Sequence, residues 1–394
     1  MNCWANWAAR MPPRATWETS PVPGVFSPGE AADRRFMAAA IRLSRSHLGL
    51  TGTNPSVGTL IVRDDGAGAV TVGRGVTALG GRPHAEPQAL EEAGAKARGA
   101  TAYVTLEPCA HHGRTPPCAN ALVDAGIARV VIAASDPDPR VSGRGAAILR
   151  DAGMEVTQGV LAREAADLMA GYLMRSSAHR PEVTLKLAVS ADGMLGLEGR
   201  GQVAITGETA RAQVHAMRAE ADAILVGAGT VAADDPELTC RLPGMEDRSP
   251  IRIVLDKGLR TPVSSRLARS ARTVPVWVAA TADVNPGRRQ ALAECGIDFL
   301  AVDLMEDRIC LPELLEDLAA RGISTLFVEG GAITARRFLD EGLVDRICLF
   351  ESGMRIGRDG LKSPLVAATV PAGYTLRRQA VFGHDSYSEW TRTS

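Results

Sequence analysis

The segment TLEPCAHHGRTPPC, residues 105–118, and the tripeptide HAE, residues 84–86, determine how the first part of this chain folds and what it holds. They contribute one histidine and two cysteines, His84, Cys109 and Cys118. One imidazole and two thiolates can hold a tetrahedral Zn²⁺ and leave its fourth position open for water, which distinguishes a catalytic zinc from a structural one. Glu86, two residues after the histidine, is placed to transfer protons without binding the metal.

Prolines precede two of the three ligands. Pro83 lies before His84, and Pro117 lies before Cys118. Proline suits the entrance of a helix, because the N–H that it lacks has no partner there. We therefore expect both ligands near helix N-termini, whose positive ends favour thiolate over thiol.

Two other interpretations of these residues stay open. A lone His-x-Glu at a helix start is more often a surface feature, and two cysteines are more often buried thiols. A purely structural zinc would need a fourth protein ligand, which His111 or His112 could supply. The combination of all the motifs in an alternating strand–helix order favours the catalytic interpretation.

Size and composition indicate a globular protein of more than one domain. A chain of 394 residues is too long for one ordinary core. The net charge of −1 gives no electrostatic reason to expect nucleic acid or an anionic membrane as a partner. The apolar runs are strand-sized, far short of a membrane span. Seven cysteines, an odd number at scattered spacing, predict reduced thiols and a cytoplasmic location.

The hydrophobic patterns predict three segments. Residues 1–29 are expected to be a poorly ordered extension, residues 30–176 a first domain and residues 177–394 a second. The first contains a hairpin and then alternating helices and strands, and the second is again α/β. Helices are predicted over 31–48, 85–98, 118–125, 143–152, 162–175, 209–220, 312–321 and 332–340. Strands are predicted over 59–62, 70–72, 102–106, 128–133, 154–156, 183–189, 223–226, 251–255, 274–278, 298–302, 325–328 and 345–350.

The eight residues between Cys109 and Cys118 carry a specific resemblance. Deaminases acting on cytidine or on bases in nucleic acid commonly have two residues there. This longer insert resembles the deaminase half of the bifunctional deaminase–reductases of riboflavin biosynthesis. The segment NPSVG, residues 54–58, is also similar, although the family usually has an amide or Arg where this chain has Ser56.

The resemblance continues through the second half of the chain. The matching segments are LKLAVSADG (185–193), Ile205-Thr206, Arg218, AILVGAGT (223–230), ADDPELT (233–239), Arg241 and FVEGG (327–331). It implies an N-terminal cytidine-deaminase-like α/β/α sandwich followed by a dihydrofolate-reductase-like α/β domain. It also implies two reactions. The first is zinc-dependent deamination of 2,5-diamino-6-ribosylamino-4(3H)-pyrimidinone 5′-phosphate, and the second is NADPH-dependent reduction of the ribosyl group to ribityl.

The resemblance also assigns roles to residues. Glu86 would be the catalytic acid–base of the deaminase, and Asp234 would handle a proton near the hydride transfer, unless it is only a turn residue ahead of Pro236. Contacts with NADPH are implied for Val189, Ala204, Thr206, Thr230, Asp234, Gly330 and Gly331. Contacts with substrate are implied for Asn54, His111, Arg114, Lys186, Gln202, Arg218, Leu238, Arg241 and Glu329.

The glycines after two predicted strands agree with a nucleotide site. Gly330 and Gly331 lie between a strand and a helix, where backbone amides can approach a pyrophosphate. Gly227-Ala-Gly-Thr230 also follows a strand, although glycines at such positions usually form plain turns. Neither segment has the Gly-x-Gly-x-x-Gly pattern, so a standard Rossmann domain is disfavoured.

Two other functions are compatible with the sequence. The family often has Trp where this chain has Ala204, and the segment after Phe350 lacks the usual Pro-Lys-Leu-Leu-Gly pattern. A deaminase whose reductase half is inactive or has a changed substrate is therefore one rival. The other is a zinc-stabilised nucleic-acid-binding module, which the near-zero charge disfavours. The predicted partner is a small phosphorylated pyrimidine, with no nucleic acid and no membrane, and a homo-oligomer stays open.

Overall fold

The computed structural model describes residues 27–111, 116–138 and 140–393. These residues form two compact units, 27–179 and 180–393. Residues 1–26 of the predicted N-terminal extension, with Cys3, lie outside the described residues. Within the described ranges, no helix combines the length and the apolar character that crossing a membrane requires.

The first unit is an α/β/α sandwich around a five-stranded sheet. Its strands are β1 (Gly58–Arg63), β2 (Val70–Val76), β3 (Thr101–Leu106), β4 (Arg129–Ala134) and β5 (Glu155–Gln158). Its helices are α1 (Pro28–Ser44), α2 (Ala85–Ala93), α3 (Cys118–Asp124), α4 (Arg144–Asp151), α5 (Ala162–Leu168) and α6 (Ala170–Ala178). The strand order is β2-β1-β3-β4-β5, with β1 antiparallel to both neighbours and the later pairs parallel. The predicted hairpin and fold class are therefore confirmed.

The sheet of this unit is covered on both faces, as its sequence suggests. Strands β3 and β4 are continuous runs of apolar residues that are almost entirely buried. Helices α1 and α5 pack together on one face, and α2, α3 and α4 form the other layer. Asp33 of α1 fixes one layer to the sheet, because its carboxylate accepts hydrogen bonds from Tyr103 Oη (2.9 Å) and Arg129 Nη1 (2.8 Å).

Helix α2 lies unusually close to the edge strand β2. A Cβ atom at Gly73 would stand 2.1 Å from the carbonyl oxygen of Ala89, and one at Gly75 would stand 2.0 Å from that of Ala85. No side chain fits at such distances, so glycine is required at both positions. The two glycines therefore allow the first two turns of α2 to pack directly against the backbone of β2.

The second unit is built on a nine-stranded sheet with helices on both faces. The sheet strands are β6 (Glu182–Val189), β8 (Ala223–Gly227), β9 (Ile251–Leu255), β10 (Val276–Ala280), β11 (Asp298–Ala301), β14 (Thr325–Val328), β15 (Arg346–Glu351), β17 (Tyr374–Phe382) and β18 (Asp385–Arg392). Smaller pairs are formed by β12 (Leu304–Met305) with β13 (Arg308–Ile309) and by β7 (Met194–Leu197) with β16 (Gly360–Lys362). The helices are α7 (Glu208–Ala219), α8 (Ala228–Asp234), α9 (Arg266–Arg269), α10 (Pro286–Glu294), α11 (Leu311–Ala320) and α12 (Ala332–Asp340).

The strand order of the large sheet brings together the carboxyl ends of three strands that are followed by, or end in, predicted site residues. It runs β11-β10-β9-β8-β14-β6-β15-β18-β17, and all pairs up to β15 are parallel. Because these strands run parallel, the carboxyl ends of the neighbouring strands β8, β14 and β6 lie side by side. Both faces of the sheet are buried, since Leu225 and Ile224, successive residues of β8, belong to different buried clusters.

The structure departs from the predicted elements at several points, including the following three. The predicted helix over residues 162–175 is two helices, α5 and α6, which break at Met169 (φ −104°, ψ 17°). Helix α8, which begins at Ala228 directly after β8, was not predicted. The antiparallel hairpin β17–β18 was not predicted, since the exposed strand β17 lacks the apolar alternation of a half-buried strand.

Candidate active sites

The structure brings together the side chains of His84, Cys109 and Cys118. The ligand atoms of the three residues lie within 4.8 Å of one another. His84 Nδ1 is 3.8 Å from Cys109 Sγ and 3.4 Å from Cys118 Sγ. His84 immediately precedes α2 and Cys118 is the first residue of α3, so both lie at helix N-termini, whereas Cys109 lies in the loop after β3.

The chemistry of these three donors fits a zinc ion. The neighbouring Cys118 and His84 lower the pKa of Cys109 to about 4 against the opposing effect of burial, while contact with Cys109 and burial raise the pKa of Cys118. The backbone N–H of Cys118 also donates to Cys109 Sγ (3.3 Å). A lowered pKa and an N–H donor both favour the thiolate form of Cys109, which is the form that binds Zn²⁺.

Glu86 lies in the first turn of α2, next to this cluster. Its side chain is only 4% exposed. Burial raises the pKa of Glu86, and the negative charge on Cys109 adds to the effect, whereas His84 opposes it. A buried carboxyl that takes up a proton more readily than usual is suited to accept one and return it.

Gln88 fixes the backbone around His84, a role that the sequence did not reveal. Its Nε2 donates to the carbonyl oxygens of Val76 (2.5 Å), His84 (2.9 Å) and Pro83 (3.2 Å). The amide therefore holds the start of α2 to the end of β2. Its spacing of four residues from His84, on the same helix face, is the signal that could have revealed it.

Asn54 lies in a tight loop after helix α1. The Thr51 hydroxyl donates to the Asn54 carbonyl oxygen (2.7 Å), and a Cβ atom at Gly81 would stand 2.3 Å from Asn54 Nδ2. The side chain of Asn54 thus packs against bare backbone. The hydroxyl of the neighbouring Ser56 is buried and donates to Ser44 O (2.6 Å), so in this structure it binds the end of α1.

The insert between the two cysteines is only partly described. His111 is half-buried, and its Nδ1 has no hydrogen-bond partner in the part of the chain that the structure describes. His111 is not among the described side chains that converge as metal ligands. His112 and the predicted substrate contact Arg114 lie outside the described residues.

Asp136 lies just beyond β4, at the sheet edge that also carries the Cys109 loop. It is 5% exposed and accepts hydrogen bonds from Tyr172 Oη (3.1 Å) and from the backbone N–H of Asp138 (2.9 Å). Burial raises the pKa of Asp136 to about 6, although both hydrogen bonds oppose the shift. The folded protein therefore binds this proton more tightly than the unfolded chain does.

Asp136→Asn should stabilise the first unit as the pH rises. The stability that protonated Asp136 contributes is complete below pH ~4 and is lost as the pH rises through 6, whereas Asn does not titrate. Relative to wild type, the free energy of unfolding should gain about 2 kcal/mol between pH 4.5 and 7.5. Urea denaturation at both pH values measures it, with the exposed Asp151→Asn as control. A pH-independent difference would contradict it.

In the second unit, glycines and a threonine form a cradle at the carboxyl ends of β8 and β14. Thr230 Oγ1 of α8 accepts a hydrogen bond from the backbone N–H of Gly331 (3.2 Å). A Cβ atom at Gly330 would stand 2.4 Å from the Cβ of Thr334. The side chain of Thr230 thus joins the N-termini of α8 and α12. The end of β6 places Val189, which is buried, at the same sheet edge.

Beside this cradle, Lys186, Arg218 and Glu329 form a charged group. Arg218 donates to both carboxylate oxygens of Glu329 (2.6 and 2.9 Å) and to Thr239 O (3.0 Å). The side chains of the pair are only 12% and 10% exposed. Burial would raise the pKa of Glu329, but Arg218 and Lys186 hold it below its usual value, and burial lowers the pKa of Lys186. Arg218 is thus already paired with a carboxylate of the chain itself, which leaves its guanidinium less available to a substrate phosphate.

Four of the other predicted residues of this unit, Gln202, Ala204, Leu238 and Arg241, lie on connecting segments, and Asp234 ends a helix. Arg241 is exposed and donates to Glu237 Oε2 (2.9 Å). Leu238 is buried in a left-handed backbone conformation (φ 57°). Gln202 and Ala204 are exposed on the segment before α7, on which Thr206 is buried. Asp234 is the last residue of α8, and burial raises its pKa.

Both halves of the chain match known protein families. Residues 30–134 match the cytidine and deoxycytidylate deaminase zinc-binding region, and residues 181–367 match the RibD C-terminal domain. The riboflavin biosynthesis protein RibD of Aquifex aeolicus is 39% identical over 337 residues, which cover 84% of this chain and 91% of that protein. The Escherichia coli protein of the same name is 38% identical, covering 83% of this chain and 89% of its own.

Solved structures agree over both units. Acinetobacter baumannii RibD superposes with a TM-score of 0.80 at 35% identity and covers 93% of this chain and 100% of its own. A diaminohydroxyphosphoribosylaminopyrimidine deaminase/5-amino-6-(5-phosphoribosylamino)uracil reductase from Thermotoga maritima has a TM-score of 0.79 at 33% identity. It covers 92% of this chain and 99% of its own.

Proposed function

The chain belongs to the RibD family of bifunctional deaminase/reductases of riboflavin biosynthesis, and from this premise we propose how its residues divide the two reactions. Residues 30–176 deaminate 2,5-diamino-6-ribosylamino-4(3H)-pyrimidinone 5′-phosphate. Residues 177–394 reduce the ribosyl group of the product to ribityl, which gives 5-amino-6-ribitylaminouracil 5′-phosphate. The observation that carries the proposal is the convergence of His84, Cys109 and Cys118 beside the buried Glu86.

In the deaminase, His84, Cys109 and Cys118 hold the metal, which supplies Lewis-acid activation of water when bound. Glu86 accepts a proton and delivers it to the departing amine, because its burial favours the protonated form between the two transfers. Asn54 and His111 orient the pyrimidine, and Arg114 binds its phosphate. The rigid support of Asn54 by Gly81 suits a residue that must present its amide in one orientation.

In the reductase, NADPH supplies the hydride. Val189, Ala204, Thr206, Thr230, Gly330 and Gly331 bind it, and the N-terminus of α12 at Gly331 suits a pyrophosphate, because the positive end of a helix favours an anion. Lys186, Gln202, Arg218, Leu238, Arg241 and Glu329 hold the substrate. Arg241 is the better phosphate ligand, because its ion pair with Glu237 is exposed and therefore weak. The buried pairing of Arg218 with Glu329 instead fixes the Glu329 carboxylate in position.

The proposal extends to partners and location. The partner is a small phosphorylated pyrimidine, and the net charge of −1 gives no support for a nucleic-acid partner. The six described cysteines are free thiols, which supports a cytoplasmic location. A homo-oligomer is compatible with these features.

The experiment that tests the proposal supplies the diaminopyrimidinone ribotide to the zinc-loaded protein, first without and then with NADPH. We expect ammonia release in the first step and NADPH oxidation in the second. Ammonia release without NADPH oxidation would favour the rival with an altered reductase half, which Ala204 and the atypical segment after Phe350 keep open. No ammonia release from protein with bound zinc would refute the deaminase.

Asp234→Asn should slow the reductase and leave the deaminase unchanged. The pKa of this carboxyl is raised by burial, so it is suited to supply a proton next to the reacting carbonyl. We expect kcat for NADPH oxidation to fall by about 10²-fold or more, with ammonia release unaltered. Stopped-flow absorbance of NADPH measures it. The neighbouring Asp235→Asn is the control, and an equal loss in both variants would indicate a structural role for the turn.

A further inference from the structure

The carboxylate of Glu107, which lies in the loop that carries Cys109, binds a helix that follows much later in the chain. Glu107 is 3% exposed. Its Oε2 accepts the backbone N–H of Gly143 (3.1 Å), and its Oε1 accepts that of Ala146 (3.1 Å). These groups belong to the first turn of α4, and Gly143 has no side chain that could cap the helix. Glu107 therefore caps α4 from a distance.

The N-terminus of α4 also contacts Pro108, the residue between Glu107 and Cys109. A Cβ atom at Gly145 would stand 2.1 Å from the carbonyl oxygen of Pro108 and 3.2 Å from Cγ of Glu107. The N-terminus of α4 thus lies directly against the backbone that precedes Cys109. A larger residue at position 145 would have to push this segment or the helix away.

On its other side, the loop is held by helix α3. The backbone N–H of Cys118 donates to Cys109 Sγ (3.3 Å), and that of Ala119 donates to Cys109 O (3.3 Å). Cys109 is the only one of the three ligands outside a helix start, so its position depends on these flanking contacts. The loop is consequently held between two helix N-termini.

We propose that Glu107 and Gly145 are positioning residues for the metal site, which they serve by fixing Cys109 relative to His84 and Cys118. Neither residue needs to touch the metal or the substrate. This inference rests on the proposed zinc-binding role of the three ligands. Partners that orient metal ligands typically change metal affinity by about 10–100-fold when they are lost.

The test measures zinc affinity of the full-length chain by competition with a chromophoric chelator. Glu107→Gln keeps the side-chain volume but replaces one acceptor oxygen with an N–H donor, which opposes one of the two helix N–H groups. We expect the zinc dissociation constant to rise about 10–100-fold and the Co²⁺-substituted protein to show an altered thiolate spectrum. Gly145→Ala should do the same. Far-UV circular dichroism, measured on the same samples, reports that both units are folded, since NADPH binding would report on the second unit alone.

The matched controls are Glu91→Gln on α2 and Gly29→Ala on α1. Glu91 is exposed, and a Cβ atom at Gly29 meets nothing within 4 Å. Both controls should retain the zinc affinity of wild type. If Glu107→Gln lowers the melting temperature but leaves the zinc affinity and the Co²⁺ spectrum unchanged, the positioning role is refuted while the zinc site stands. If wild type itself binds no zinc, the proposed function fails as well. If Gly145→Ala does not fold, the zinc affinity and the Co²⁺ spectrum of Glu107→Gln alone test the positioning role.

Discussion

Glu86→Gln should abolish ammonia release almost completely while the chain keeps its zinc and its reductase. The amide has the shape of the carboxyl but cannot accept a proton, so the transfer from water to the departing amine loses its carrier. We expect kcat for deamination to fall by about 10²–10⁴-fold. Coupled detection of ammonia measures the fall. Zinc content and NADPH oxidation, with the deaminated ribotide supplied directly, should remain at wild-type values.

The control for this variant is Glu91→Gln, on the same helix but exposed. It should deaminate at the wild-type rate. If Glu86→Gln lost zinc in parallel with activity, Glu86 would be acting on the metal site as a whole. A variant that keeps zinc and deaminates normally would remove Glu86 from the mechanism and require another proton carrier.

The metal cluster was predictable because its geometry follows from local rules. The prolines before His84 and Cys118 indicated helix starts, and both residues do lie at helix N-termini. The contribution of Glu107 was not predictable in this way. Its partners, Gly143 and Ala146, lie 36 and 39 residues away, and only the packing of the N-terminus of α4 against the loop after β3 brings them within reach.

In the second unit, periodicity identified the parallel strands but not how the charged residues pair. The sequence offered Arg218 and Glu329 as separate substrate ligands, whereas the structure joins them in a bidentate ion pair. These residues are 111 positions apart and meet only because β14 lies next to β8. Helix α8 was missed because glycine and alanine after a strand suit a turn as well as a helix start.

Asp345→Asn should unfold the second unit at much lower denaturant concentration. Asp345 pairs with Arg180 through two hydrogen bonds (2.5 and 2.7 Å), and both side chains are only 2% exposed. Its carboxylate also accepts the backbone N–H of Val183, at the start of strand β6. Removing the charge leaves a buried guanidinium without its counter-ion, which costs about 3–5 kcal/mol. Guanidinium chloride unfolding, followed by circular dichroism and by NADPH binding, measures the loss.

The loss of stability arises from the unpaired charge of Arg180. A change in an exposed ion pair, or a variant that lacks both charges, should therefore lose less. Asp317→Asn, in the exposed pair Asp317–Arg321, should change stability by less than about 1 kcal/mol. The double variant Arg180→Leu/Asp345→Leu removes both charges and should recover much of the stability lost in Asp345→Asn, since an apolar pair needs no counter-ion. Because β6 carries Lys186 and ends at Val189, the single variant should lose NADPH binding in the same transition. An effect of Asp345→Asn no larger than that of Asp317→Asn would show that Arg180 finds another partner or water.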